Sequence, residues 1–516
     1  MSWHQVGSTT RAMQAGLRGR RLLDGEMLTR RLLTTRIQAP DSPRGFMIRS
    51  GQIAVCAISV LVMLATSEMT SAQLPVSPND PSQAQAFSQS ASGATFLSQF
   101  ANPALRGSLY LTPQWPLTGY YPLFPGGLVQ ALPTDGALVG PLRLRPHMGV
   151  AQMYTDNVFR TNSNRLSDFV TTLAPGIQAQ LPFAGFHSFL IDYRTNIQYY
   201  SRTPSNDVQD QTATGSFKFN FPGGLNIDLQ GHHKLGHDPR GSAVDDVRTQ
   251  GLAVNKWTAN GFTGQAEYLG AQSIVRLTAQ TIRWDYLNNG LGPSRDRLAN
   301  IAGLTFSRNV TGKTSLLANF GALQSIYDQN KNLDNVMYTI SGGATWNVTD
   351  LTSGDILIGY QNVQFTRAQA NQPPPLSQFA RDKDSYSNFY FMGRLNWQAT
   401  PLSRITLQPY RTIQQAVTTG SLFYTATGVN LTARHELTDS TTLNLNLGLE
   451  EDHFQSSSSV GVTRTDLLKN IAVGVNYQAV KWVGLGIQYI FEDRNSNQTQ
   501  FTYQANTVML SAQVLL

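Results

Sequence analysis

Cysteine is almost absent from this chain of 516 residues, in which Cys56 is the only one. A single thiol cannot build a disulfide framework, and it excludes zinc sites made of paired cysteines. Val55 precedes Cys56, whereas a lipid-attachment site would normally have a small residue there. The sequence therefore excludes a fold held by disulfides and predicts no lipid anchor at this cysteine.

Long hydrophobic runs are also lacking. After residue 65, no stretch approaches the roughly 20 apolar residues that a membrane-spanning helix needs. Charged residues make up only 14% of the chain, hydrophobic residues 41%, and the mean hydropathy is −0.23. We also find no nucleotide-binding glycine loop, Rossmann fingerprint or nucleophile elbow. These absences argue against a helical membrane protein and against the common nucleotide-dependent and serine-type enzymes, and they predict no cofactor.

The net charge of +7 is unevenly distributed along the chain. Residues 1–72 contain nine arginines, no lysine and four acidic residues, a balance of +5, which leaves +2 for residues 73–516. Because the basic excess belongs mainly to the N-terminal region, we do not expect a nucleic-acid partner.

The N-terminal region has the features of an export signal. Ile53–Ala65 is an apolar run too short to span a membrane, Arg49 precedes it, and Thr70–Ala72 supplies small residues for a peptidase. We interpret residues 47–72 as a signal peptide and Gln73 as the mature start; the alternative is a short buried strand or helix. Residues 1–46 form an Arg-rich leader. It either lies upstream of a true start at Met47 or is a mitochondrial presequence.

Residues 73–141 are rich in proline, serine, glutamine and alanine. Because dense prolines remove backbone donors and break helices, we predict an extended periplasmic linker. Its aromatic part, Tyr110–Phe124, could dock on a partner or enter a barrel mouth; the alternative is a disordered segment with incidental aromatics.

From Leu142 onward, the pattern is a strict alternation of apolar and polar residues that repeats about every forty residues. Thr442–Glu450 shows it most clearly, with leucine at every second position. Such strands present one apolar and one polar face and can close a cylinder with lipid outside and water inside. We predict an all-β, antiparallel outer-membrane barrel of about eighteen strands over residues 142–516, with short periplasmic turns and longer outer loops. The predicted turns lie near Pro182, Pro222, Gly270, Thr311, Thr349, Thr400, Thr438 and Val480.

A forty-residue period is also compatible with a β-propeller, which packs four short strands in each repeat. Here each period holds only two segments, many of them long. Globular strands average about five or six residues, whereas a tilted membrane-spanning strand needs about nine to eleven. Segment length therefore favours the barrel. The terminal alternation Val508–Leu516 is of the kind that barrel-assembly machinery recognises, although it lacks the more usual terminal aromatic.

Parity then assigns side chains to the two faces. Phe389 and Trp397 should face lipid, as should Leu407 and Leu431 on the following strands. The predicted lumen-lining candidates, which could bind a polymer weakly through aromatic faces and cations, are Tyr390, Arg394, Arg404, Tyr410 and Arg434. Alternatively, these side chains stabilise the wall by pairing with acids such as Glu436 and Glu450.

Two segments in the opening strands carry a more specific signature, Tyr154–Phe159 and Ser167–Gly176. They resemble the outer-membrane β-barrel porins associated with exopolysaccharide and capsule export, and the likeness extends over residues 142–516. The resemblance implies a barrel that works with a periplasmic polysaccharide-export protein and an inner-membrane synthesis complex, and it supplies no catalytic residue. Physically, Asp156 and Asn157 favour a turn, and Pro175 is expected to end pairing nearby.

Other polar groups invite site hypotheses. His232-His233 and His237-Asp238 could bind a metal, but alternation places adjacent histidines on opposite faces, so a polar loop is the simpler interpretation. Asp245-Asp246 and Glu450–Asp452 could bind calcium or act as paired carboxylates; we expect solvated rim residues.

Three functions are compatible with these features of the sequence. The first is an outer-membrane channel that exports a secreted polysaccharide. The second is a passive diffusion porin for small hydrophilic solutes, which predicts a constricting loop folded inward, with Ala368–Asp384 as the candidate. The third, a barrel hydrolase or acyltransferase, has little support because the sequence shows no nucleophile–histidine arrangement. We therefore predict a channel rather than an enzyme.

Overall fold

The computed structural model describes residues 136–242, 253–349, 351–367, 383–418, 421–456 and 463–515. The predicted leader, the signal peptide and nearly all of the predicted linker therefore lie outside the described residues. No helix among the described residues is long and apolar enough to cross a membrane.

In the described part of the chain, nineteen antiparallel strands form one sheet, and eighteen of them, β2 to β19, close into a barrel when β19 pairs with β2. The predicted fold class and strand number are confirmed. The strands are β1 (Ala137–Val139), β2 (Leu142–Thr155), β3 (Asp168–Phe183), β4 (His187–Tyr200), β5 (Val208–Asn220), β6 (Leu225–His237), β7 (Lys256–Leu269), β8 (Ser273–Tyr286), β9 (Arg297–Thr311), β10 (Thr314–Tyr327), β11 (Asn335–Thr349), β12 (Thr352–Phe365), β13 (Ser385–Thr400), β14 (Ser403–Thr418), β15 (Ser421–Thr438), β16 (Thr441–Ser456), β17 (Thr465–Val480), β18 (Val483–Ser496) and β19 (Tyr503–Leu515).

Eight short connections lie at one end of the barrel, and each falls within a few residues of a predicted turn. Gly223 and Gly224, between β5 and β6, have φ angles of 93° and 89°, a backbone conformation that suits glycine. The longer connections lie at the opposite end, which we call the outer end because outer loops are the longer ones in such barrels. One connection there is short, since β14 ends at Thr418 and β15 begins at Ser421.

Three of the outer hairpins share a stabilising arrangement. An aspartate just before the returning strand accepts a hydrogen bond from the backbone N–H of the tyrosine that ends the preceding strand. Asp207 does this for Tyr200 at 2.8 Å, and Asp334 does it for Tyr327 at 2.8 Å. Asp296 does it for Tyr286 at 2.7 Å, following a single helical turn, α1 (Gly292–Arg295). These bonds hold the outer loops close to the strand ends.

The segment Tyr154–Phe159 stabilises the seam between the first and last barrel strands. The carboxylate of Asp156 accepts hydrogen bonds from the backbone N–H and the side-chain amide of Asn506, at 2.8 and 2.7 Å. Asn157 donates to the carbonyl oxygens of Thr161 and Gln504, at 2.7 and 2.8 Å. The prediction that Asp156 and Asn157 turn the chain at the end of β2 agrees with this geometry.

Pro175 does not end strand pairing, so that prediction was wrong. It lies within β3 opposite Met148 of β2, and pairing with β2 continues to Gln180. Its effect is confined to the other edge, where the β3–β4 register skips from Leu173 to Gly176. A proline within a strand removes a donor on one edge only, and here it does so without stopping the ladder.

The predicted facing of the strands is observed. Phe389, Leu395 and Trp397 are exposed on the outer surface, whereas Tyr390 on the opposite face is completely buried. Leu447 and Leu449 of the leucine-rich segment are likewise exposed. The outer surface is therefore an apolar band suited to lipid, which is the arrangement of an integral barrel.

Candidate functional site

The end of the lumen near the short turns is lined by charged side chains that water reaches. We call this half of the lumen the vestibule. Arg434 and Lys218 point inward here, and the side chains of both are more than half exposed. Each is near an acid on the same face, Arg434 at 3.5 Å from Glu436 and Lys218 at 3.8 Å from Asp228. The vestibule is therefore wide and hydrated, with charges of both signs.

The outer half of the lumen differs, because much of its wall is apolar and packed. Fifteen buried residues from β7 to β15 and from the turn after β10 form one cluster. Trp257 and Trp284 lie within it with their rings 4.7 Å apart, and both are essentially inaccessible to solvent. The expectation of a polar inner face is wrong for this part of the wall. Side chains can be apolar here because other elements fold over them.

The element that covers part of this wall is the outer end of the β14–β15 hairpin. We define the inner hairpin as the described residues Arg411–Gln415 and Leu422–Thr427. Pairing between β13 and β14 stops after Met392 with Tyr410 and Phe391 with Arg411, although both strands continue outward. β15 remains paired with β14 and β16 over this length. β14 therefore leaves the wall on its β13 side and carries the inner hairpin inward.

Side-chain contacts show where the inner hairpin lies. Gln361 of β12 accepts hydrogen bonds from the backbone N–H of Ile413 at 2.9 Å and from the hydroxyl of Thr412 at 3.1 Å. Gln415 donates to Ser325 of β10 at 2.9 Å, although β10 and β14 are separated by three strands in the sheet. Contacts of this kind require the hairpin to lie over the inner face of β10 to β13.

Burial supports the same placement. Residues 412–415 and 422–426 are all buried, with no alternation between the two faces. A strand in a barrel wall has one exposed or lipid-facing side, so burial on both sides indicates a strand inside the lumen. Phe423 also packs edge-to-face on Phe365, with ring centroids 5.9 Å apart. The inner hairpin therefore lies inside the lumen at its outer end. The predicted constricting loop, Ala368–Asp384, lies outside the described residues except for Lys383 and Asp384, so that prediction stays a prediction.

A proline lies two residues before the last β13–β14 pair, Phe391 with Arg411. Pro409 has no backbone N–H, and the register has no pairs for Gly393, which lies opposite Pro409, or for Arg394, which lies opposite Gln408. Just beyond, the side chain of Arg411 reaches Asn388 of β13 at 3.3 Å and Thr427 of β15 at 2.6 Å. Asn388 in turn donates to Thr425 at 3.2 Å. These polar groups fill the split between β13 and the hairpin.

The other side of the outer mouth is lined by buried ion pairs. Arg160, in the loop after β2, pairs with Glu492 of β18 at 2.6 Å. Arg464, in the loop before β17, hydrogen-bonds Asp466 and is stacked between Phe454 and Phe501, at 4.1 and 3.5 Å from the ring centroids. Burial lowers the pKa of the Arg464 guanidinium, and Asp466 acts against this shift. These pairs give the mouth charges of both signs beside the apolar wall.

The five predicted lumen residues occupy different parts of the passage. Arg404 and Arg434 are exposed in the vestibule, and Arg394 lies farther outward, 3.9 Å from Asp355. Tyr390 and Tyr410 are buried in a second apolar cluster next to the inner hairpin. The hydroxyl of Tyr410 donates a hydrogen bond to Glu450. Both the pairing with acids and the inward position are thus observed, while their role in solute passage stays a prediction.

Other predicted polar groups are also located. His232 lies on the inner face over Gly261, and His233 lies on the outer face beside Asn260, so the two adjacent histidines do not share a site. Asp452 is 1% exposed and lies on the inner wall, so the prediction that it is a solvated rim residue was wrong. Its strand continues beyond the expected rim, to Ser456. Asp245-Asp246 lie outside the described residues.

The structure brings together two hydroxyl–histidine pairs that the sequence did not indicate. Ser403 contacts His435 at 2.8 Å near the short-turn end. Thr465 contacts His453 at 3.3 Å, and the other ring nitrogen of His453 is 3.1 Å from Glu451. His453 and Glu451 are about half exposed, which is typical of polar contacts on a surface. Apart from these contacts, nothing in the described part of the chain favours hydrolysis.

Comparison with known proteins agrees with this architecture. Residues 131–515 match the family model described as putative beta-barrel porin 2. No curated protein matches the chain.

Solved structures also match part of this chain. The crystal structure of Acinetobacter baumannii OccAB3 is 9% identical, covers 73% of this chain and 100% of its own, and has a TM-score of 0.43. The outer membrane protein opdK from Pseudomonas aeruginosa is 10% identical, covers 72% of this chain and 98% of its own, and has a TM-score of 0.44.

Proposed function

Because the chain belongs to the family described as putative beta-barrel porin 2, we propose that it is a passive diffusion channel for small hydrophilic solutes. The barrel lies in the bacterial outer membrane, with its apolar outer surface in lipid. The observation that carries the proposal is the change along the lumen. A hydrated vestibule with exposed charges leads to an outer mouth that the inner hairpin and buried ion pairs narrow.

Small polar solutes suit such a passage better than a long polymer does. A polysaccharide needs a continuous wet path along its whole length, whereas the outer half of the described wall is largely apolar and covered. The segment on which the resemblance to polysaccharide-export barrels depends is also engaged in structure, since Asp156 and Asn157 join the ends of the barrel. Polysaccharide export, together with a periplasmic export partner, is therefore the weaker of the two proposals.

Within the proposed channel, the predicted residues would have distinct roles. Arg404 and Arg434 would attract anionic or polar solutes into the vestibule, because they are exposed on its wall. Arg394, which is partly screened by Asp355, would form the next cationic step. Tyr390 and Tyr410 would support the wall beside the inner hairpin rather than contact solute.

Reconstitution in planar bilayers tests the proposal. We expect discrete conductance steps, and permeation of neutral sugars in a liposome-swelling assay with a sharp upper size limit. Arg434→Gln should reduce anion selectivity in the reversal potential, while Lys469→Gln, on the outer surface, should leave it unchanged. Folded protein that gives no conductance would reject the channel. Loss of surface polysaccharide on gene deletion, with intact polymer synthesis, would favour the export proposal instead.

A further inference from the structure

The inner hairpin has a second position available to it, in the barrel wall. The β13–β14 pairs from Gln398 with Arg404 to Phe391 with Arg411 conform to one register. Extending this register places Ser385–Tyr390 of β13 opposite Thr412–Val417 of β14. In the observed structure β14 forms no ladder pairs with Ser385–Tyr390, and no other described strand pairs with this edge, although β13 remains paired with β12 up to Ser385. A strand edge of this kind is a template for pairing.

Parity gives independent support for this wall position. Side chains with odd numbers in β14, such as Leu407, belong to the outer surface of the barrel, as do Phe389 and Ser387 of β13. Ile413 and Gln415 are also odd, yet the Ile413 side chain packs in the apolar cluster on the inner wall and the Gln415 side chain donates to Ser325 of β10. The hairpin side chains that parity assigns to the lipid-facing surface therefore lie against the lumen-facing side of β10 to β13.

The wall position would also match the chemistry of the outer surface. Near the outer end, polar side chains hydrogen-bond one another across neighbouring strands on this surface, Thr281 with Asn300 at 3.0 Å and Asn362 with Ser387 at 2.7 Å. In the extended register, Gln415 lies directly opposite Ser387. It would thus continue this polar row, whereas in the observed position it crosses the lumen to Ser325.

Some of the hydrogen bonds that hold the hairpin inward are exchangeable. Gln361 replaces ladder bonds by accepting from Thr412 and Ile413, and Gln415 is held by Ser325. Returning the hairpin to the wall would exchange these side-chain bonds for backbone pairs with β13. Since two packings with comparable bonding can interconvert, the hairpin has the properties of a two-position element.

We propose that the inner hairpin is a gate: it closes the outer mouth when it lies over β10 to β13, and it opens the mouth when β14 completes its ladder with β13. The proposal rests on the channel function proposed above. Opening would uncover the apolar inner face around Tyr386 and remove the hairpin from the path of solute.

Cross-linking tests the gate, because one residue has a different partner in each position. In full-length protein carrying Cys56→Ala, the pair Ser325→Cys/Gln415→Cys should trap the closed position with a short thiol cross-linker. The pair Ser387→Cys/Gln415→Cys should trap the open position. The matched control is Asn362→Cys/Ser387→Cys, whose residues are already opposite in the β12–β13 ladder. Heat-dependent gel migration verifies that each variant is folded.

Single-channel conductance is the readout. We expect cross-linking of the first pair to lower conductance several-fold, cross-linking of the second to raise it several-fold, and reduction to reverse the first change. The control pair should cross-link without effect. Gln361→Ala should speed the trapping of the open position, because it removes the acceptor of Thr412 and Ile413.

Two results would overturn the gate while leaving the channel intact: failure of Ser387→Cys/Gln415→Cys to cross-link in folded, conducting protein, or conductance that is equal in both trapped forms. Absence of conductance in every variant and in the uncross-linked protein would reject the channel itself.

Discussion

Replacing Asp168 should weaken the barrel at its outer rim more than any surface acid would. The carboxylate is fully buried at the start of β3. One oxygen accepts the backbone N–H groups of Phe169 and Arg202, at 2.7 and 2.9 Å. The other accepts the backbone N–H and the hydroxyl of Thr203, at 3.0 and 2.5 Å. Asp168 thus joins the end of β2–β3 to the turn after β4.

The magnitude follows from this set of bonds. Asp168→Asn keeps one acceptor oxygen and places an NH₂ group against the donors of the other. The Thr203 hydroxyl can rotate to accept from this NH₂ group, so one buried donor, the Thr203 backbone N–H, is left without an acceptor. Its loss should cost about 1–3 kcal/mol of unfolding free energy. The matched control is Asp493→Asn, since Asp493 forms an ion pair with the half-exposed Lys469. Its loss should cost less than about 1 kcal/mol.

Urea unfolding of the barrel in lipid vesicles, followed by tryptophan fluorescence, measures both variants. The reasoning would be refuted if the unfolding midpoint of Asp168→Asn equalled that of Asp493→Asn. A large loss of stability with unchanged conductance would also indicate that this part of the polysaccharide-export signature serves the fold rather than a substrate.

Three further predictions use the same unfolding assay. Gly428→Ala should cost about 1–3 kcal/mol of unfolding free energy by overpacking, because an added Cβ would lie 2.6 Å from the Tyr410 hydroxyl oxygen. The control Gly215→Ala should cost nothing of this kind, because the space around Gly215 is open. Equal effects of the two changes would contradict this prediction. Arg464→Lys should cost about 1.5–3 kcal/mol, the usual value of a hydrogen bond to a charged group, because lysine lacks the fork and the ring stacking; a neutral change would argue against it. Burial raises the pKa of Asp296 in the folded protein above its ordinary 3.8. The protonated carboxyl therefore contributes stability to the folded state below pH 3.8, and this contribution is lost as the pH rises through the pKa of the folded state. Asp296→Asn should therefore equal the parent in acid and be slightly more stable at neutral pH, and a parent that is more stable at neutral pH would reverse the sign.

The strand pattern was predictable because successive side chains of a wall strand face lipid and water in turn, so the apolar–polar pattern repeats every second residue. Every strand of the wall lies between lipid and the lumen, so the alternation in Leu443–Leu449 is sufficient to assign its lipid-facing and lumen-facing sides. The turns were predictable for a related reason, since alternation must stop where the chain leaves lipid. Nothing in this local logic depends on distant contacts.

The inner hairpin was not predictable by the same rule. Parity assumes that every strand stays in the wall, and it therefore places Ile413 and Gln415 outside. The available signals were weak: Pro409 within a strand, and the unusually short connection between Thr418 and Ser421 on the side of the long loops. Asp452 was assigned wrongly for the converse reason, because acidic residues near a strand end were assumed to be solvated.

The barrel joint between β19 and β2 has a mechanical consequence. Its ladder holds nine residue pairs, from Thr507 with Thr155 to Leu515 with His147, whereas β2 and β3 share thirteen. Beyond Leu515, toward the short-turn end, the short strand β1 pairs with the same edge of β2. If force or heat opens the barrel, the break should begin in this β19–β2 ladder. The hydrogen bonds between Asp156 and Asn506 at its outer end should be the last to be lost.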